Sequence, residues 1–99
     1  SDFTMADEVQ PNNAKTRIAL GDLFFARKEY SRAIEFFNDA LKEIPDHAMA
    51  ICRRGISHYY KRSFPEALRD LENAYKLDNT IPNIATYVVM AKKKVKNQA

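Results

Sequence analysis

One interval governs this chain. Gly21 and Gly55, Ala33 and Ala67, and Ala40 and Ala74 are each separated by 34 residues, and the aromatic pairs Phe25/Tyr59 and Tyr30/Phe64 keep the same spacing. Ile34/Leu68 and Phe37/Leu71 follow it too, as does the less similar pair Leu41/Tyr75. A fixed period of about 20–50 residues marks a chain built from one supersecondary unit used more than once, and it limits the architecture before any element is assigned. Two copies fit, spanning 14–47 and 48–81, with a remainder at 82–97.

Within each copy the pattern is helical. Tyr30, Ala33, Ile34, Phe37, Ala40 and Leu41 recur at steps of three and four, the spacing of an apolar stripe on one helix face. The stretch from Ala14 to Ala26 carries Ile18, Leu20, Gly21, Phe24 and Phe25 without a proline, so it supplies the partner helix. Only 2 Gly and 4 Pro in 99 residues leave too few turn residues for an all-β domain. The expected class is therefore all-α, built from antiparallel helix-pair repeats. A mid-helix glycine costs ~1 kcal/mol against alanine, so Gly21 and Gly55 at one phase point to close approach of a neighbouring helix. Pro45 should end one helix and Asp46-His47 turn the chain before the next begins near Ala48. Asp78-Asn79-Thr80 is the matching break. Ser63 is expected as an N-cap, Pro65 in a first helical turn, and Pro82 as the opening of a fifth helix over 82–97. The polar stretch 1–13 is expected to be a disordered lead, with Ser1 to Thr4 a cloning remnant ahead of Met5.

Charge and cysteine usage narrow the function classes. The net charge of +3 is unevenly spread: residues 1–50 carry 6 Lys/Arg against 9 Asp/Glu, residues 51–99 carry 10 against 4. One cysteine, Cys52, cannot form an internal disulfide or a thiolate-rich zinc site, which suits a reducing, cytoplasmic setting. A nuclear setting is the alternative suggested by Lys92-Lys93-Lys94-Val95-Lys96. No apolar run approaches the ~20 residues that cross a bilayer, so no membrane insertion is expected. His47 and His58 have no companions at metal-ligand spacing, Cys52 has no recognisable base beside it, and the two helical glycines cannot form a phosphate loop. No enzyme, metal site or cofactor is expected.

Taken in order, Leu20, Gly21, Phe24, Tyr30, Ala33, Phe37, Ala40 and Pro45 resemble a tetratricopeptide repeat. The second copy, with Gly55, Phe64, Ala67, Leu71 and Ala74, resembles it more loosely, since Arg54 stands where leucine is usual and Asn79 where proline is usual. The resemblance implies two tetratricopeptide-type repeats, 14–47 and 48–81, and a C-terminal capping helix at 82–97, stacked as a superhelix. It further implies that the first helix of each pair lines a concave groove. By position those lining residues are Lys15, Ile18, Ala19, Asp22 and Phe25 from the first copy, and Met49, Cys52, Arg53, Ile56, Tyr59 and Tyr60 from the second. Asn83, Thr86, Tyr87 and Met90 come from the last helix. The Lys/Asn/Asn/Lys/Arg clamp by which some members hold acidic chaperone tails is not matched. Ile18, Asp22, Arg53, Asn83 and Tyr87 stand at its positions.

The function these readings imply is a non-enzymatic protein-interaction module. Its groove would receive a peptide or partner segment with apolar anchors, an acidic group among its candidate features, in a scaffold or adaptor role. Two alternatives stand beside it. One is a binder of nucleic acid or an anionic surface through Arg53, Arg54, Lys61, Arg62 and Lys92 to Lys96; the simpler reading of that last run is a solvated helix end complementing the helix dipole. The other is a subunit of a larger assembly. About three repeats usually make a stable stack, so two and a half leave self-association open.

Overall fold

A computed structural model describes residues 13–98, and these form five α-helices with no strand among them. The helices are α1 (Ala14–Ala26), α2 (Tyr30–Glu43), α3 (Ala48–Tyr60), α4 (Phe64–Leu77) and α5 (Ile84–Gln98). The arrangement is an all-α helical repeat: α1 pairs with α2, α3 with α4, and α5 packs against α4. The expected lead at 1–12 and the cloning-remnant reading of Ser1 to Thr4 lie outside the described residues. Asn13 caps α1, its Oδ1 accepting from the Lys15 N–H at 2.6 Å.

The period recurs at the level of single hydrogen bonds. After α1 the N–H groups of Lys28 and Glu29 donate to the carbonyls of Phe25 and Phe24; after α3 those of Arg62 and Ser63 donate to Tyr59 and His58. Lys28 and Arg62 both take left-handed backbone conformations, with φ of 63° and 68°. The next pair of breaks matches as well, with Ile44 N–H bonded to Ala40 and Asp78 N–H to Ala74. Local chemistry thus closes the two hairpins identically before any tertiary contact is counted.

Packing follows from small residues meeting large ones. Ala33, Ala40, Ala67 and Ala74 are all fully buried, and Phe37, Ile51, Leu71 and Ile84 are the largest side chains sealed among them. A methyl group on Gly21 would lie 2.6 Å from the Phe37 ring, and one on Gly55 would lie 2.9 Å from Asp70 Cβ and 3.0 Å from Leu71 Cγ. The absent side chains are what let α2 and α4 approach α1 and α3. Truncating a buried phenylalanine such as Phe37 to alanine costs ~3–5 kcal/mol, so each of these contacts weighs heavily in a small domain.

Two helix starts differ from expectation. Pro82 lies in a turn, and the last helix opens two residues later at Ile84. There the Ile84 N–H reaches back to the Ile81 carbonyl, and Asn83, at φ 66°, supplies the carbonyl that accepts from Tyr87. Ile81 is buried, which draws the chain inward and spends two residues on the turn. Ser63 occupies the N-cap position of α4, but its side chain makes no capping bond; Pro65 sits in the first turn as expected.

The row of first helices is tighter than the row of second helices. α1 meets α3 and α3 meets α5, whereas α2 and α4 do not approach each other. A stack that converges on one row and splays on the other curves toward the converging side. The concave face is therefore carried by α1, α3 and α5.

Candidate functional site

Most of the residues expected to line the groove do fall on those three helices, but they separate into distinct neighbourhoods. Phe25, Met49, Cys52, Arg53 and Ile56, joined by Ile81 and Pro82, surround a hollow of about 200 Å³ at the centre. Lys15 and Ile18 line another hollow at the first edge of the stack, with Glu43, Ile44 and His47. His47 is fixed there because its Nδ1 accepts from the Ala50 N–H at 3.1 Å, capping α3. Ala19 is exposed, Thr86 is exposed and Met90 is half-buried on α5.

Three of the expected groove residues need correction. Cys52 borders the central hollow but is only 1% exposed, so it packs chiefly in the core, because α3 has neighbours on both sides and more of its circumference is covered than an edge helix would show. Burial pushes its thiol up to about 11, against a smaller opposing pull from Arg53. At neutral pH it is a protonated, weakly nucleophilic group. Asn83 lies in the turn before α5 rather than on the helix. Arg53 is not an open cation at the middle of the groove: its guanidinium donates to Asp22 Oδ1 at 2.7 Å, so the two expected lining charges neutralise each other across α1 and α3.

The aromatic part of the groove gathers at one end. Phe25 meets Tyr30 edge-on at 5.9 Å between ring centres, and Tyr30 stacks on Tyr60 at 5.3 Å. Tyr59 packs edge-on against Tyr60, Phe64 and Tyr87, which places it partly in the core. Tyr60 is 48% exposed, and its hydroxyl lies 3.0 Å from that of Tyr87. That shared hydrogen bond, with burial second, pushes the Tyr87 phenol up to about 12; burial and then Tyr60 raise Tyr30. The Tyr30 and Tyr87 phenols therefore stay neutral at physiological pH, and the cluster presents rings with hydroxyl groups, a surface suited to apolar and mixed contacts.

The sequence reading missed a polar cluster behind this face. Arg54 donates to both oxygens of Asp70, at 2.7 and 2.8 Å, and to Asn38 Oδ1 at 2.9 Å. Asp70 is 7% exposed. His58 lies beside them with its Nδ1 buried and without a hydrogen-bond partner; burial lowers its pKa, an effect Asp70 partly offsets. A signal was available in the register. Counting back 34 residues, Arg54, His58 and Asp70 fall on Leu20, Phe24 and Phe36, so three apolar positions turn polar together.

The expected basic surface is divided. Arg53 and Arg54 are held by Asp22 and Asp70, Lys92 lies 3.8 Å from Glu72, Lys61 donates to Ser31 at 2.6 Å, and Lys94 rests over the Phe64 ring at 5.8 Å. Among the described residues no group of three or more His, Cys, Asp or Glu side chains could hold a metal ion, and no helix is long and apolar enough to cross a membrane. The chain matches no model of a known protein family, and no curated protein is significantly similar to it.

Proposed function

We propose that this chain is a tetratricopeptide-type interaction module that receives a segment of another protein on the face formed by α1, α3 and α5. One observation carries the reading: Phe25, Met49, Ile56, Tyr60 and Tyr87 stand partly open along a single concave face rather than being sealed in the core. Apolar and aromatic side chains left accessible in a concave setting are the usual anchors for a partner's side chains. The role is non-enzymatic, and a cytoplasmic or nuclear setting accompanies it.

Affinity capture from a native lysate, followed by mass spectrometry, tests it. Tyr60→Ala combined with Tyr87→Ala should deplete the partners retained by the parent chain, while Val89→Ala, an exposed apolar residue outside the groove residues, should retain them. Equal capture by both variants, with helical circular dichroism unchanged, would discard the groove as the binding face.

A further inference from the structure

We propose that the partner segment is acidic and that its carboxylates are read at the tyrosine end of the groove, on the edge formed by the turns after α1 and α3. This rests on the groove reading above and names its partner class. The middle of the groove cannot supply the charge recognition, because Arg53 is already committed to Asp22 at 2.7 Å. The turns can. Arg27, Lys28, Arg32, Lys61 and Arg62 stand there against Glu29 and Glu66, an excess of three positive charges. Glu29 is engaged by Arg27 at 3.1 Å and Arg32 at 3.8 Å, so its charge is already partly balanced. Among the described residues neither Lys28 nor Arg62 has a carboxylate within ion-pair distance.

Lys28, Lys61, Arg32 and Ser31 open onto one hollow of about 420 Å³, with Tyr30 and Glu29 in its wall; the Glu29 carboxylate is turned to Arg27 and Arg32. Lys61 donates to Ser31 Oγ, which leaves the serine proton available to donate onward. Tyr30 stacks on Tyr60, and Tyr60 is joined to Tyr87, so the cationic hollow continues into the aromatic platform without a break. A segment laid across this edge would set an apolar or aromatic side chain on Tyr60 and Tyr87. An adjacent glutamate or aspartate would then lie over Lys28 and Lys61. Exposed cations of this kind act through complementarity and association rate and are screened by salt, which supplies the distinguishing signature.

The test uses the full chain and a labelled synthetic peptide, Gly-Glu-Glu-Phe-Glu-Glu-Leu-Gly, with a second peptide in which every Glu is Gln. Binding is followed by fluorescence anisotropy and by amide chemical shifts. The acidic peptide should bind the more tightly and move the amides of Lys28, Ser31, Tyr60 and Lys61, and its affinity should fall about fivefold or more between about 0.05 and 0.3 M salt. Lys28→Glu with Lys61→Glu should weaken it about tenfold or more, whereas Arg69→Glu with Lys76→Glu, the same charge change on the exposed side of α4, should alter it less than about twofold. Equal binding of the glutamine peptide, with shifts confined to Phe25, Met49 and Ile56, would overturn the acidic assignment while leaving the groove reading standing. Absence of shifts with either peptide overturns it too, as does movement of the same amides by protein concentration alone, which would make a second copy the occupant.

Discussion

The two hairpins solve one packing problem with opposite chemistry. In α1 and α2 the Phe24 ring stacks on Phe36 at 5.5 Å, with Arg27 and Arg32 lying over Phe24 at 6.0 and 5.5 Å. In α3 and α4 the corresponding positions hold His58 and Asp70, and Arg54 replaces Leu20 to close an ion pair. Backbone turns, glycine phase and alanine positions are otherwise shared. A hairpin at the edge of the stack can leave an aromatic pair at its surface, whereas the inner hairpin, flanked by neighbours, holds Arg54 at 24% side-chain exposure in a bidentate grip. The frame tolerates either solution because the glycine and alanine positions set the helix separation, not the pair beside them.

Removing half of the ionic solution should have the largest effect. Asp70→Ala leaves a largely buried guanidinium without its partner, a loss that typically costs ~3–5 kcal/mol; partial exposure of Arg54 and its bond to Asn38 place the expected value near ~3. Phe36→Ala, at the same position of the first hairpin, removes only a half-buried ring and should cost about 1.5 kcal/mol. Urea denaturation of both variants measures the difference, and equal losses would show that the two interfaces are energetically alike.

Next in size are the glycines. Gly21→Ala drives a methyl group into a fully buried Phe37 ring at 2.6 Å, whereas Gly55→Ala meets Asp70 Cβ at 2.9 Å and the Leu71 backbone nitrogen at 3.2 Å. Overpacking costs ~1–3 kcal/mol and the helix-propensity gain returns ~1, so both should destabilise by up to about 2 kcal/mol net. An increase in stability for either would mean that helix separation is not set by the glycine.

A transplant sharpens the comparison further. Arg54→Leu, His58→Phe and Asp70→Phe together rebuild the first hairpin's solution inside the second. Replacing a buried ion pair by packed apolar groups is often neutral or stabilising by ~1–4 kcal/mol, and the added ring volume beside Gly55 offsets part of that. The triple variant should therefore unfold within about 1 kcal/mol of the parent. A loss above about 3 kcal/mol would show the ionic cluster to be required by the inner position.

The helical fold was largely legible because its signals are local and repeated. The helical periodicity, Pro45 and the Ser63–Pro65 start signal placed helix boundaries at Ala26, Tyr30, Ala48 and Phe64 without tertiary information. What stayed hidden depends on neighbours distant in sequence. The Asp22–Arg53 pair joins residues 31 apart on α1 and α3, and no period couples an acid on one to a base on the other. Cys52 and Ile18 share a repeat position, yet only Cys52 is sealed, since burial of a first helix is decided by what lies on either side of it in the stack. The basic run looked continuous in sequence because charge counting does not see that an aspartate one helix away has already neutralised an arginine.

The smallest expected effect isolates His58, the member of the polar trio without a mate. Its imidazole is held below the usual value near 6.5 chiefly by burial, so the folded state favours the neutral ring. Between the unfolded value and the lowered folded one, the unfolded chain binds the proton more readily. Stability should therefore fall as pH drops through that window and level off below it, with a slope from this residue of at most ~1.4 kcal/mol per pH unit. Phe24 occupies the matching place in the first hairpin and contributes no such slope. Urea midpoints at pH 7.5, 6.5 and 5.5 for the parent and for His58→Phe measure it: the parent should lose stability relative to the variant on acidification, because only the parent must keep an uncharged imidazole beside Arg54. If the two curves run parallel, the buried Nδ1 is reached by water in solution, and the inner hairpin is less tightly closed than its Arg54–Asp70 distances of 2.7 and 2.8 Å require.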